Sequence, residues 1–119
     1  MAAHNELGKK GEEYAQKYLW ANGYEILETN YCFEKAEIDI IALKEGIISV
    51  IEVKTRSTDY FGNPEESVTY KKEQLLSDAI DQYLIEKNID LPIQFDIISI
   101  IMKVNQAPSL NHIKEAFRA

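Results

Sequence analysis

Two carboxylates and a lysine stand in an apolar stretch of the chain and have the side-chain types that metal-assisted phosphate chemistry requires. Asp39 lies between isoleucines, and Lys54 follows Glu52 by two residues. Carboxylate oxygens are preferred ligands of Mg²⁺ and Mn²⁺, with water and phosphate filling the other positions. A neighbouring ammonium could orient the attacking water or stabilise the charge of the transition state. These residue types indicate hydrolysis of a phosphate ester.

The spacing of these residues predicts a β-hairpin that brings them together. If Glu45 and Gly46 form a two-residue turn, residue 44 pairs with 47, and the numbers of every cross-strand pair have the same sum. Asp39 then lies opposite Glu52, with β-carbons about 4.5–5.5 Å apart on the same face of the sheet. The predicted register therefore brings the two carboxylates side by side.

Burial makes this arrangement costly, because both faces of the hairpin are apolar. Two neighbouring acids that lose hydration repel each other unless a positive charge compensates them. A divalent cation at Asp39 and Glu52 is one such charge. Two other readings stay open: a solvated strand end where the acids diverge, and an ion pair between Glu37 and Lys54, which the register also places opposite each other.

The first helix offers a third carboxylate. On an ideal helix Glu12 shares a stripe with Gly8, Ala15 and Leu19, since steps of three, four and seven residues return to nearly one direction. Glu12 is therefore predicted to face inward. Glu13 is turned about 100° away and is predicted to be solvated.

Three basic residues are candidates for binding the phosphates of a nucleic acid. Arg56 follows the hairpin, and Lys71 and Lys72 lie in the opening turn of a predicted helix, where free amide groups favour anions. A solvated helix start is the alternative for the two lysines.

Predictions for three further residues are structural. His4 and His112 have no partner at ligand spacing, and both are predicted to lie on the surface. Trp20 is predicted to belong to the core or its rim.

The wider pattern predicts one α/β domain over residues 1–119, in the order α-β-β-β-α-β. Apolar residues at helical spacing predict helices over 5–22 and 68–86, the second ending near Asn88. Residues 55–66 have loop composition, and a short helical turn is predicted at 113–117. Strands are predicted over 24–31, 37–43, 47–54 and 93–104.

Composition limits the classes of function. A hydrophobic fraction of 45% and a charged fraction of 28% are those of a globular domain, and no apolar run reaches the ~18 residues of a membrane span. Lone Cys32 excludes an intramolecular disulfide, and the N-terminus lacks a signal-peptide pattern, so a cytoplasmic location is expected. The net charge of -7 counts against tight, non-specific binding of nucleic acid.

Three segments, Gly11-Glu12, 36–42 and 51–56, resemble the YraN family. These uncharacterised bacterial proteins are similar to the archaeal Holliday-junction resolvases of the PD-(D/E)XK nuclease superfamily. The likeness continues to Phe117 and covers nearly the whole chain. It implies a restriction-endonuclease-like αβββαβ core, with a central mixed sheet flanked by helices.

The resemblance also implies an activity. Asp39, Glu52 and Lys54 would be the metal and catalytic set, with Asp39 and Glu52 holding Mg²⁺ or Mn²⁺ and Glu12 as a helix-borne acid. The implied protein is a magnesium-dependent endonuclease that hydrolyses phosphodiester bonds in DNA. In the resolvase-like branch the resemblance further implies homodimers and a branched or structured DNA substrate.

Departures from the family pattern support an alternative. Cys32 stands where a basic residue is common, Ala36 where glycine is, and Gln94 where arginine is. Two lost positive charges and the net charge of -7 fit a nuclease-like fold that no longer cuts. Such a protein would serve as a nucleic-acid-binding or protein-interaction module. An enzyme on small phosphorylated substrates has no glycine-rich phosphate loop in its support.

Overall fold

A five-stranded mixed sheet with one helix on each face forms the protein. The computed structural model describes residues 2–57 and 69–117, with side chains from Glu6 onward. Neighbouring strands run antiparallel except β3 and β4, which are parallel and joined across α2. The elements are α1 (Ala2–Ala21), β1 (Glu25–Phe33), β2 (Ala36–Lys44), β3 (Ile47–Arg56), α2 (Tyr70–Lys87), β4 (Ile93–Ile101) and β5 (Ser109–Phe117).

The architecture is an α/β fold compatible with a restriction-endonuclease-like core, as predicted. The sheet lies in the strand order β1-β2-β3-β4-β5, so β3 is its central strand. Both faces of β3 are therefore covered, which accounts for its nearly continuous run of buried residues. Most of the predicted loop over 55–66 lies outside the described residues, which leave out 58–68.

The predicted helical turn at 113–117 is wrong, because this segment belongs to β5. Ile113, Ala116 and Phe117 have the spacing of a helical stripe, which produced the prediction. Their backbone instead pairs with β4, where Ile97 faces Ile113 and Phe95 faces Phe117. Between these pairs the register shifts, and Glu115 takes a positive φ of 50°. The strand depends on a long-range partner rather than on local propensity.

Both helices end at left-handed residues that the sequence indicated. Gly23 has φ of 86° and donates its N–H to Trp20 O, while Tyr24 donates to Leu19 O. This is a Schellman ending, with Leu19 and Tyr24 packed in the same apolar cluster. Asn88, with φ of 55°, ends α2 in the same way.

A buried polar chain connects α1 to the far strands of the sheet. His112 Nε2 lies 2.8 Å from Asp96 Oδ2, and His112 Nδ1 lies 2.9 Å from the Tyr18 hydroxyl. Asp96 Oδ1 accepts the N–H of Glu115 at the bulge of β5. The His112 side chain is only 4% exposed, so its predicted surface location is wrong. These hydrogen bonds fix Tyr18, and with it α1, against β4 and β5.

Trp20 also departs from its prediction, since it is 77% exposed. It lies near the end of α1, on the side of the helix opposite the apolar cluster that contains Ala15 and Leu19. Neither helix of the described ranges is long and apolar enough to span a membrane.

Close contact between α1 and β3 requires a glycine. A β-carbon added at Gly11 would overlap the side chain of Thr55, whose hydroxyl is buried. One turn earlier, a β-carbon at Gly8 would meet nothing within 4 Å. The two glycines of α1 therefore have different roles, and Gly11 sets the distance between the helix and β3.

We expect Gly11→Ala to lower the free energy of unfolding by about 1–3 kcal/mol, because overpacking moves α1 away from β3. Gly8→Ala is the matched control and should raise it by up to about 1 kcal/mol through helix propensity. Urea unfolding of the two variants measures both effects. Equal stabilisation by the two substitutions would contradict the close packing at Gly11.

Candidate metal and phosphate site

The β2–β3 hairpin has the predicted turn and register. Glu45 and Gly46 both have positive φ, 52° and 76°, as a type I′ turn requires. The paired residues run from Lys44 with Ile47 to Ile40 with Ile51. Every pair has the residue sum that a two-residue turn imposes. The register on which the candidate site depends is thus confirmed.

The two strands part just where the carboxylates begin. The ladder ends at Ile40 and Ile51, one position before Asp39 and Glu52. Here Asp39 Oδ2 accepts the backbone N–H of Val53 at 2.8 Å. A side chain therefore takes the place of the next backbone bond, and the opening between the strands is lined by acidic groups.

Glu52 is the most buried acid of the site, at 4% exposure, and two ammonium groups compensate it. Its Oε2 lies 2.8 Å from Lys72 Nζ and 3.5 Å from Lys54 Nζ. Lys54 therefore pairs with the acid on its own strand rather than with exposed Glu37, the partner considered from the sequence. Lys72 reaches the same oxygen from the first turn of α2.

Burial and neighbouring acids raise the pKa of Asp39 from 3.8 to about 7. Desolvation is the largest cause, and the negative charges of Glu52, Glu12 and Glu37 add to it. The hydrogen bond from Val53 N–H acts in the opposite direction. Asp39 therefore resists ionisation near neutral pH unless more positive charge enters the opening.

The two lysines respond differently to the site. Burial lowers the pKa of Lys54, and the adjacent Lys72 ammonium adds to this effect, against the attraction of Glu52. The pKa of Lys72 is raised, because its hydrogen bond and charge interaction with Glu52 outweigh the opposing effect of burial. Lys72 is thus the more firmly protonated partner of Glu52.

Glu12 lies at the edge of this group. It is half-buried, and its Oε1 accepts a hydrogen bond from Asn30 Nδ2 at 3.0 Å. Its charge contributes to the raised pKa of Asp39, so α1 brings it near the opening. Glu13 is exposed, as predicted from the helical stripe.

Basic side chains at this end of the sheet are spread over two elements. Arg56 and Lys54 line a cleft of about 280 Å³ between β3 and the first turns of α1, near Leu7 and Gly8. Lys71 is exposed beside Lys72 in α2. Arg56 and Lys54 thus share one cleft, whereas Lys71 and Lys72 belong to the first turn of α2.

Comparison with known proteins places the sequence in a family. A family model described as "Uncharacterised protein family UPF0102" matches residues 11–100. The chain belongs to the UPF0102 family. It is 49% identical over 117 residues to a UPF0102 protein of Flavobacterium psychrophilum and 50% identical over 117 residues to one of Christiangramia forsetii, each match covering 98% of both chains. A UPF0102 protein of Parabacteroides distasonis is 44% identical over 119 residues, covering 100% of this chain and 98% of its own.

Asp39 and Glu52 of this UPF0102 protein have the ligand type that a hard divalent cation uses together with water or phosphate. Within residues 2–57 and 69–117, no group of three or more His, Cys, Asp or Glu side chains lies close enough to hold an ion. Mg²⁺ in phosphate-transfer sites commonly uses one or two carboxylates and takes its other ligands from water and phosphate. Asp39 and Glu52 supply two carboxylates, and the raised pKa of Asp39 indicates a deficit of positive charge.

Sequence reasoning missed three partners of the acids. The sequence predicts Lys72 as a phosphate-binding residue, not as the nearest partner of Glu52. It gives no sign of the contacts of Asn30 with Glu12 or of the Val53 amide with Asp39. A carboxyl-x-lysine pattern points along one strand and carries no signal for a lysine twenty residues away. These contacts arise from how α2 and β1 pack on the sheet.

The raised pKa of Asp39 predicts how stability depends on pH. A folded-state pKa of about 7 against an ordinary 3.8 means that the folded protein holds the proton more tightly. The resulting stabilisation is complete below about pH 3.8 and is lost as pH rises through about 7. In EDTA, this residue should lower the free energy of unfolding by about 2–3 kcal/mol between pH 5 and pH 8.

Asp39→Asn isolates this contribution, because it keeps an acceptor for Val53 N–H and removes the charge. Urea unfolding at both pH values should show a smaller loss of stability in the variant than in the wild type. The same loss in both proteins would mean that Asp39 has an ordinary pKa.

Proposed function

We propose that this protein is a metal-dependent endonuclease that hydrolyses phosphodiester bonds in DNA, with branched or structured DNA as its substrate. The observation that carries the proposal is the opening between β2 and β3, where Asp39 accepts the Val53 N–H and interacts with the charge of Glu52, whose Oε2 lies 3.5 Å from Lys54 Nζ. The resemblance to the resolvase-like nucleases supports DNA as the substrate class. It also supports a homodimer as the active assembly.

The electrostatics of the opening support a cation as part of the function. Glu52 is buried, Asp39 resists ionisation, and Glu12 is a third acid whose charge acts on Asp39. Keeping these acids together lowers the free energy of unfolding, since buried acids that repel each other destabilise the folded state. Electrostatic repulsion that shifts the pKa of a partly buried acid is a common sign of a functional site.

Each residue has a role in the proposed hydrolysis. Asp39 and Glu52 would hold a divalent ion, Mg²⁺ or Mn²⁺, which supplies Lewis acidity to the phosphate and to the attacking water. Lys54, with its lowered pKa, would orient that water or stabilise the negative charge that develops on the phosphate. Glu12 would help to position the ion through water. The attacking water gives up one proton to solvent as the new P–O bond forms, and the leaving 3′ or 5′ oxygen takes one from solvent as its bond to phosphorus breaks.

Basic residues around the opening would bind the backbone of the substrate. Arg56 lies at the end of β3, and Lys71 and Lys72 lie in the first turn of α2. Contacts of this kind position a nucleic acid without reading its sequence. The net charge of -7 keeps this contribution local, so affinity should depend strongly on salt and on the divalent ion.

Cleavage of DNA by matched variants tests the proposal. Glu52→Gln should lower the rate on four-way junction DNA in Mg²⁺ or Mn²⁺ by at least about 100-fold, because it removes a charged ligand and keeps the shape of the side chain. The rate is measured under single-turnover conditions with junction, flap and linear DNA.

Glu13→Gln is the control, because Glu13 is an exposed glutamate one residue from Glu12. It should cleave at the wild-type rate. Equal rates for wild type and Glu52→Gln would identify the cleavage as a contaminating activity and overturn the assignment.

The ion pair between Lys72 and Glu52 favours a second candidate function. An ammonium 2.8 Å from the buried acid neutralises it without any metal, as a nuclease-like fold that no longer cuts would require. Such a module would bind nucleic acid or another protein. It predicts DNA binding in EDTA that survives Glu52→Gln, and no cleavage with any divalent ion. Binding that disappears together with the ion would contradict it.

A further inference from the structure

Lys72 occupies one of the two carboxylate oxygens through which Glu52 would bind a divalent ion. Its Nζ lies 2.8 Å from Glu52 Oε2, closer than Lys54 Nζ at 3.5 Å. At 2.8 Å the two groups form a charge-assisted hydrogen bond of ordinary length. The position next to Glu52 is therefore filled by a positive charge of the protein itself.

The backbone of Lys72 is fixed, but its side chain has freedom to move. The Thr69 hydroxyl accepts the Lys72 N–H at 3.2 Å and caps the first turn of α2. The ammonium sits on a flexible four-carbon stem and its side chain is 35% exposed. Lys72 can thus leave Glu52 by rotating its side chain, with no change in α2.

Two cations cannot share Glu52 Oε2 at bonding distance without strong repulsion. Lys54 differs from Lys72 in this respect, because it already lies farther from the oxygen and belongs to the same strand as Glu52. Exposed Lys71, the neighbour of Lys72, makes no ion pair among those found in the described residues. A divalent cation at Glu52 Oε2 would therefore compete with Lys72.

We propose that Lys72 is an exchangeable counter-ion, which neutralises Glu52 in the metal-free protein and moves to a phosphate of the substrate when a divalent cation replaces it. This rests on the proposed function and adds a regulatory consequence. The ammonium keeps the empty site folded and lowers its affinity for a free ion. Substrate phosphate, by accepting Lys72, raises that affinity, so that ion and substrate bind cooperatively.

Calorimetric titration with Mn²⁺ alone, without DNA, tests this exchange. Lys72→Gln should bind Mn²⁺ at least about tenfold more tightly than the wild type, because a competing charge is gone. Lys71→Gln removes the same charge one residue away and should bind as the wild type does. Lys72→Arg keeps the charge and should also stay near the wild-type affinity. Glu52 retains Lys54 as a partner in all three variants, and thermal unfolding verifies that they are folded.

The outcomes separate the exchange from the proposed function. Mn²⁺ affinity of Lys72→Gln equal to or weaker than that of the wild type overturns the exchange. If Asp39→Asn abolishes Mn²⁺ binding in that same experiment, the proposed metal site is supported even though the exchange of Lys72 is not. An equal increase in Mn²⁺ affinity in Lys72→Gln and Lys72→Arg also overturns the exchange, because loss of the Lys72 charge would then not be the cause of the increase. Absence of Mn²⁺ binding from every variant overturns both proposals.

Binding by Lys72→Gln alone would support the exchange in its strongest form. The wild-type ammonium would then exclude the free ion completely.

Discussion

The repulsion between carboxylates in a nearly dry opening of the sheet is the constraint on which the site depends. Among the described residues, two ammonium groups hold Glu52, whereas Asp39 accepts the Val53 N–H and resists ionisation up to about pH 7. The sheet accepts this cost in the middle of its central strand, where Glu52 directly follows the buried Val50 and Ile51. Positive charge added at that point would relieve the repulsion, and the proposed chemistry uses this imbalance.

The rest of the fold holds the acids in place. The hairpin turn sets which residues face each other, and the contact of Gly11 with Thr55 sets how closely α1 approaches. The buried chain of Tyr18, His112 and Asp96 then fixes α1 from the other side. Glu12 lies one residue beyond Gly11, so the same contacts that pack the helix also determine the third acid's distance from Asp39.

The sequence predicted the features that depend on local rules. Glu45-Gly46 favours one turn geometry, and that geometry predicts the register from Lys44–Ile47 to Ile40–Ile51, which ends one position before Asp39 and Glu52. Features that depend on distant partners were missed or wrong. Segment 113–117 is a strand because β4 offers an edge, and His112 is buried because Asp96 needs a partner. Lys72 reaches Glu52 through the packing of α2, which side-chain spacing along β3 does not encode.

Anomalous diffraction from crystals soaked in Mn²⁺ at pH 8 tests the central claim most directly. One peak should appear in the opening between β2 and β3, within about 2.3 Å of carboxylate oxygens from both Asp39 and Glu52. Absence of this peak from soaked crystals of both the wild type and Lys72→Gln, or Mn²⁺ bound to other residues instead, would contradict the account.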